Sequence, residues 1–467
     1  MEEFEKPDKG WSESEFQGLS LGDRRLERRV LKVAEQLSSN LQSPIYAATK
    51  DWASAKAAYR LFDNDKVTTN NLLVPHRGQT LSRISHEKLV LAIQDTTFLN
   101  FSQGKKNKSL GPIGDRNSQA QGMVLHHTLA VTPENLPLGI LTQKIWTRNG
   151  FNEKTEEENW KTPIEDKESY KWIEALRDVN KLVSTADRVV TVCDREADIY
   201  EFISEAFSLK AEILIRASAD RKLAEEPEHR LFDRLGSMPL IGEVELHLPR
   251  DLKRPSKVVC DIRAEAVTLA PPDRHGGSLL KPLTVYCILV SEQSPKSEVD
   301  KLEWKLMTNI PVDSLEDAVE KISWYRTRWQ IEVYHRILKT GCDVEGCLLE
   351  SRDRIARYLV LFSIIAWRIF WITHIARVDP NAPACIILSK RELDVLQIFT
   401  RDNPSLKKKL TTANEVVLAI AMLGGFLNRK NDGKPGPTPI WRGWQLLQQL
   451  ALNLNKKRAQ EIFATYG

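Results

Sequence analysis

The chain has 467 residues, 42% of them hydrophobic and 28% charged, the proportions of an ordinary soluble globular protein with room for two to four domains and a sizeable core. A net charge of +4 and a pI near 8.5 exclude any argument for nucleic acid from the whole-chain balance, so such an argument must rest on local clusters. Six cysteines, at 193, 260, 287, 342, 347 and 385, follow neither a disulfide framework nor a zinc-ligand spacing and are expected as free thiols, and the polar start MEEFEKPDKG does not have the pattern of a secretory signal.

Residues 1 to about 75 read as helical. In SLGDRRLERRVLKVAEQLSSN, Leu26, Val30, Val33 and Leu37 form one apolar stripe, while Arg24, Arg25, Arg28, Arg29 and Lys32 crowd the other faces. Asp23 or Ser20 is the expected cap. DWASAKAAYRLFDN, 51 to 64, predicts a second helix. The middle changes character. KLVLAIQDTT (88 to 97), QGMVLHHTLAV (121 to 131), LPLGILTQKIW (136 to 146), DRVVTVCD (187 to 194) and AEILIRA (211 to 217) read as strands, and ESYKWIEALRDVNKLV (168 to 183) as a helix. Strands in series, then alternating with helices, predict an α/β or α+β core on a mixed sheet. Residues 218 to about 310 are richer in Pro and Gly and hold further strand-like pieces, so they read as a β-rich insertion. From 315 the pattern is helical almost to the end, with 428 to 440 as the one clear loop. YLVLFSIIAWRIFWITHIA (358 to 376) carries Arg368 and His374 and reads as a buried helix rather than a membrane span.

Two aspartates close apolar runs, Asp95 after Leu89–Ile93 and Asp194 after Val189–Cys193. At neighbouring strand ends they would share a sheet edge, where α/β proteins bind ligands. Each alone also suits a turn or a helix cap. The stretch WYRTRWQIEVYHRILKTG (324 to 341) adds a third carboxylate. On an ideal helix Tyr325, Arg328, Glu332 and Lys339 fall within about 60° of arc. Arg328 and Glu332, four residues apart, also suit a plain helix ion pair. Two Asp and a Glu beside Tyr, Arg and Lys suit divalent cations with phosphates gripped alongside.

The spacing Tyr325-(2)-Arg328-(3)-Glu332-(6)-Lys339 resembles the signature of the insertion-sequence 4 (IS4) family of DDE transposases. QDTTFLN around Asp95 and VCDREADIY around Asp194 are similar to that family's first and second Asp blocks. LGDRRLERRVLKVAEQL, KLEWKLMTN, LAIAMLGGFLNRK and WRGWQLLQQ extend the likeness, in order, over nearly the whole chain. The resemblance implies an RNase H-like mixed-sheet core at 76–365 with a β-rich insertion at 218–310. A helical end-binding domain at 1–75 and a helical dimerisation region at 366–467 would flank it, with the run Leu418 to Phe426, Trp441 and Trp444 as apolar and aromatic surface suited to a symmetric interface. It assigns Asp95, Asp194 and Glu332 as catalytic metal ligands for two Mg2+ ions, with Mn2+ able to substitute. Tyr325, Arg328, Lys339, Trp304, Arg216 and the cluster Arg24, Arg25, Arg28 and Arg29 take DNA-contacting positions. Trp304 matches a tryptophan that stacks near the pocket for a flipped base. The partners implied are double-stranded DNA, both element ends and target, and a second copy of the chain in a paired-end complex. A bacterial cytoplasmic protein without a membrane is implied as well. Gln94 stands where close relatives often have Glu, and the loop at 428–440 departs from the family. A nuclease that does not transpose, a DNA-binding protein without chemistry and a glycosidase are the competing readings. The terminal helices and the phosphate-suited cations weigh against them.

Overall fold

The runs rich in Val, Ile and Leu become strands, and the stretches with three- to four-residue apolar spacing become helices. The computed structural model describes residues 10–453 except 50, 103–106, 115–116, 152–153, 184–185, 226–228, 248–256, 274–279, 296–300, 402, 404–405 and 407–408. The outermost parts of the expected 1–75 and 366–467 segments thus lie outside the described residues.

The chain opens with α1 (Trp11–Glu15), α2 (Arg24–Ser38), α3 (Ile45–Ala48), α4 (Trp52–Phe62) and α5 (Thr69–Ile84). Strands β1 (Val90–Asn100), β2 (Gly111–Pro112), β3 (Gln121–Val131) and β4 (Pro137–Trp146) follow. Next come α6 (Glu156–Lys161), α7 (Tyr170–Leu182), β5 (Val189–Cys193), α8 (Tyr200–Leu209) and β6 (Glu212–Arg216). The β-rich stretch holds α9 (Leu231–Ser237), β7 (Leu240–His247), β8 (Lys257–Leu269), β9 (Leu283–Glu292) and β10 (Glu303–Thr308). The rest is α10 (Leu315–Thr327), α11 (Gln330–Arg336), a π-helical turn (Ile337–Gly341), α12 (Arg352–Val378), α13 (Lys390–Thr400), α14 (Ala413–Leu423) and α15 (Pro437–Asn453).

One sheet joins the described strands in the order β2-β3-β1-β5-β6-β10-β9-β8-β7, with β4 also on β3. β1 lies antiparallel to β3 and parallel to β5, and β5 is parallel to β6 through the crossover helix α8. β10, β9, β8 and β7 extend the sheet as an antiparallel ribbon. Side chains alternate along β1. Leu91, Ile93 and Leu99 join the large core under α10 to α12, while Val90 and Ala92 meet Val179 of α7 on the other face.

α12 is long and apolar enough to cross a membrane, yet its apolar stretch is entirely buried inside the protein. Ser351 caps it by accepting from the Arg354 N–H, Asp353 sits in its first turn and Arg377 in its last, in the sense that suits the helix dipole. Each of its buried Leu, Ile and Phe side chains contributes about 1.5–3 kcal/mol by leaving water. Arg368 stays inside by donating to the Ile387 carbonyl and lying over the Trp371 ring.

The C-terminal helices differ from expectation. Residues 418–426, with Trp441 and Trp444, read from the sequence as surface for a symmetric interface. In the fold Ile420, Ala421, Trp441 and Trp444 are buried within the chain itself. α14 and α15 meet backbone to backbone, because a Cβ on Gly443 would lie 1.7 Å from the Ile420 carbonyl oxygen and one on Gly424 1.9 Å from that of Pro439. The two glycines therefore serve packing. The expected loop at 428–440 is also shorter, since Pro437 begins α15, a position that tolerates its missing N–H.

Candidate active site

Register brings the two aspartates level. The parallel ladder of β1 and β5 ends at Ile93 opposite Val192. Asp95 and Asp194 each stand two residues further along neighbouring strands, which run about 4.8 Å apart. Asp95 does not end its strand, as the sequence reading has it, because β1 continues to Asn100 on its β3 side, with Asp95 opposite His127. Asp194 does end β5. Its Oδ1 accepts from the Glu196 N–H at 2.8 Å and opens a short 3-10 turn, so the cap and the candidate site are one residue.

The third carboxylate comes from the segment after the ribbon. α10 starts at a capping box in which Ser314 and Asp317 bond each other's backbone N–H. It does not continue as one helix to Lys339. Thr327 bonds back to the Ser323 carbonyl, and the backbone N–H groups of Arg328, Trp329, Ile331 and Glu332 each reach three residues back. After α11 the Cys342 N–H reaches five residues back to Ile337, closing the π turn. The expected single face for Tyr325, Arg328, Glu332 and Lys339 is thus replaced by a bent path. Arg328 and Glu332 stay paired, with Nη2 to Oε1 at 2.7 Å. Lys339 lies half-buried on the π turn, which Gln42 holds from the N-terminal helices by donating to the Thr340 carbonyl.

The carboxylates feel one another. Burial pushes the Asp194 carboxyl above its ordinary range, and the charge of Asp95 adds to it against the Glu196 N–H and Arg328. Burial likewise pushes Glu332 up, and Asp95 adds to it, against the bond and charge of Arg328. At Asp95 burial also works upward, but contacts from His335, the charge of Arg328 and the Thr96 N–H outweigh it and hold that group low. Three partly buried carboxylates with Arg328 as their shared counter-charge make a site that favours added positive charge.

Trp304 of β10 stands half-buried with its ring 5.6 Å from that of Tyr325, edge to face, and the Arg328 guanidinium lies 5.9 Å from the Tyr325 ring. The antiparallel ribbon is therefore joined to the carboxylates through Trp304, Tyr325 and Arg328. Arg216 donates to the Glu303 carbonyl at 3.0 Å, beside Trp304, and so makes a structural bond between β6 and β10. The N-terminal cluster is distant in sequence and otherwise built as expected. Asp23 caps α2, Leu26, Val30, Val33 and Leu37 are buried, and Arg24, Arg25 and Arg28 are exposed with Arg29 half-exposed. None of these arginines has an ion-pair partner among the described residues.

Two features escaped the sequence reading. His335, one turn after Glu332, places Nδ1 3.6 Å from Asp95 Oδ2 and Nε2 3.1 Å from His127 Nδ1. The signal was present as a histidine three residues from the glutamate and a His-His pair in the adjoining strand. Asp198, in the same block as Asp194, is an anchor with a fully buried side chain. It accepts from the Ser218 and Ala219 N–H groups and pairs with Arg221, fixing the loop after β6.

Among the described residues no three His, Cys, Asp or Glu side chains stand together as a finished metal cage. The donor chemistry fits a hard divalent cation nonetheless. It offers three carboxylates, two of which, Asp194 and Glu332, have their charge opposed by burial and by Asp95, and Mg2+ is commonly held by one or two carboxylates with water and substrate phosphate completing its shell.

Comparison with known families matches residues 8–67 to a transposase DNA-binding model and residues 364–465 to the Tn5 transposase dimerisation domain. The solved piggyBac transposase synaptic complex with hairpin DNA aligns over 95% of this chain and 76% of that one. At 9% identity and a TM-score of 0.38, it carries no argument.

Proposed function

The chain is a Tn5/IS4-like transposase with a DNA-binding and a dimerisation module, and from that premise we propose a cut-and-paste enzyme that nicks, hairpins and joins DNA at Asp95, Asp194 and Glu332. The carrying observation is the β1–β5 register that sets Asp95 and Asp194 level, with Glu332 paired to Arg328, whose charge acts on all three carboxylates. The antiparallel β4-β3-β1 and parallel β1-β5-β6 order supports reading 76–365 as an RNase H-like core, with 218–310 as its insertion. Residues 1–75 then form the end-binding domain and 366–467 the dimerisation region.

Asp95, Asp194 and Glu332 would hold two Mg2+ ions, with Glu332 turning from Arg328 toward them. Bound there, the ions supply an activated water or 3′ hydroxyl and a stabilised leaving oxygen. Arg328 and Lys339 grip non-bridging phosphate oxygens through charge-assisted hydrogen bonds, and the Tyr325 hydroxyl adds a neutral one. Trp304 offers an indole face for a base turned out of the duplex, which relaxes the backbone for a tight hairpin. Water first breaks the phosphodiester bond at the element end and leaves a 3′ hydroxyl. That hydroxyl attacks the opposite strand, a second water reopens the hairpin, and the freed end joins target DNA. The exposed arginines of α2 hold the end duplex, and two chains pair on two ends. Since Trp441 and Trp444 are internal, the pairing uses other surface. Leu427 and Leu446 are apolar residues left exposed in that module.

Asp194→Ala should abolish nicking of end DNA while gel-shift binding persists. Metal-site electrostatics worth several kcal/mol correspond to a loss of about 10²–10⁴-fold. A nuclease would cut without yielding a joined product, and an Asp194→Ala protein that still cuts would refute this active site.

A further inference from the structure

We propose that Arg354 changes partner when DNA binds, leaving Asp63 for a backbone phosphate of the duplex that runs from α2 toward the active site; this rests on the DNA-binding reading above and deepens it. Asp63 is the C-cap of α4, and Arg354 lies in the first turn of α12. Nε and Nη2 of Arg354 both donate to one oxygen, Asp63 Oδ1, at 2.8 and 2.5 Å. The guanidinium fork is thus spent on a single acceptor atom, whereas a phosphate offers two non-bridging oxygens to the same two donors. The pair is open to water, with side chains 38% and 59% exposed, so it adds little to the fold and is screened by salt. Asp63 does not serve its own helix either, since a carboxylate at a helix C-terminus opposes the dipole.

Arg357, one turn further along α12, has the opposite character. Its side chain is only 12% exposed. Its Nη1 donates to the carbonyl of Phe62, the last residue of α4, at 2.6 Å, and its Nη2 reaches Asp65 at 3.4 Å. Arg357 therefore keeps α4 against α12 whether or not Arg354 stays on Asp63.

The neighbours of the pair fit a polyanion. Lys56, Arg60 and Asp63 follow one another at four- and three-residue spacing along one face of α4, and all three are exposed. At the start of α12, Arg352 is exposed and pairs with the adjacent Asp353 at 3.3 Å. The Arg352 N–H donates to Ser109 Oγ at 3.0 Å, which brings the exposed Lys108 to the same end of the helix. Lys56, Arg60 and Lys108 have no ion-pair partner among the described residues. Ser109 lies in the segment that follows β1, the strand of Asp95. On its other side the turn after α4 borders α2. The Asp23 carboxylate that caps α2 is held low by the Arg25 and Leu26 N–H groups and further by the charge of Lys66. A duplex gripped by the arginines of α2 and delivered to Asp95 thus crosses the Asp63–Arg354 pair, and Asp63 occupies the guanidinium that its phosphate would take.

The test is fluorescence anisotropy of the full-length chain, without divalent metal, on a labelled duplex carrying the element end and on a scrambled duplex of equal length. Arg354→Ala should weaken both about 10-fold and lower the slope of log affinity against log salt by about 1. Asp63→Asn should tighten both, by up to about 5-fold. The double variant decides between causes. With Arg354→Ala present, Asp63→Asn should bring no further gain, because its effect runs through Arg354. An undiminished gain there would mean that Asp63 acts on DNA by its charge alone, and overturns the inference. Arg354→Gln takes the same place in the cycle if Arg354→Ala does not fold. Failure of the parent reading looks different. If the unmodified chain does not prefer the end duplex to the scrambled one, the end-binding reading fails. If it does, and the folded Arg354 variant keeps the same affinity and salt slope, only the change of partner fails.

Discussion

Two regions of this molecule use the same three side-chain types, a carboxylate, a histidine and an arginine, and differ in how completely they are satisfied. At the N-terminal helices, Glu15 accepts from Arg83 at 2.8 and 3.3 Å and from His76 Nδ1 at 2.8 Å. His76 Nε2 in turn accepts from the Ile140 N–H at 3.0 Å. Arg83 also donates to the Leu138 carbonyl and lies over Trp367. Burial opposes the charge on Glu15, but the His76 bond and the Arg83 charge bring its pKa down to about 2. At Asp95, Asp194 and Glu332 the balance is reversed for two of the three carboxylates. Arg328 is the arginine that all three share, Arg195 acts on Asp194 alone, and the histidine stands at 3.6 Å, outside hydrogen-bond range. A closed cluster holds elements together, whereas an open one has unmet demand for positive charge. The chemistry of the residues is shared, and completeness of pairing separates structure from function.

The comparison can be broken first at its open side. Beyond its loss of cleavage, Asp194→Asn should leave the unfolding midpoint unchanged or raised, since it removes a charge that burial and Asp95 both oppose. A large drop in urea stability would mean that Asp194 is structural like Glu15. At the closed side, Glu15→Gln should cost about 3 kcal/mol in urea unfolding, because it leaves Arg83 and His76 facing a neutral group. Nicking per folded molecule should not change.

Acid sharpens the contrast through groups with opposite charges and the same direction of effect. Burial first, and then Arg377, lowers His374 to about 3. Below about pH 6.5 the unfolded chain takes up a proton there that the folded chain refuses, so stability falls as pH drops through that window, by about 2 kcal/mol at pH 5. Glu15 remains ionised in the fold down to about 2 while its unfolded form protonates near 4.5, so its contribution is lost between those values. Urea midpoints measured against pH should become shallower in the upper window for His374→Gln, with the remaining slope there from the buried His76, His126 and His127, which burial lowers as well, and shallower in the lower window for Glu15→Gln. Arg328→Ala should lower stability only slightly, within about 1 kcal/mol, since its ion pair with the one-third-exposed Glu332 is partly screened. Retention of cleaved ends should weaken. If Arg328→Ala instead unfolds the chain, the helix ion pair is its main role.

Much of the secondary structure was legible. QGMVLHHTLAV and LPLGILTQKIW became β3 and β4, and the stripe of Leu26, Val30, Val33 and Leu37 became the inner face of α2. The burial of the apolar stretch of α12 was readable because Arg368 and His374 interrupt it. The C-terminal surface was misread because apolar residues look alike whether they meet another copy or another helix. Only the contact of Gly443 with Ile420 shows which partner they have.

By itself, the sequence determined the strands, the helices, their caps and the spacing of Tyr325, Arg328, Glu332 and Lys339. Those follow from side-chain alternation, helical period and local hydrogen bonding, which act over a few residues. Tertiary structure alone decided that Asp95 and Asp194 stand level, that the helix bends between Tyr325 and Lys339, and that His335 meets Asp95. These depend on strand register and packing between residues up to 240 positions apart. Such partners are selected by the whole core, because each competing pairing would bury different side chains or leave different polar groups unmet.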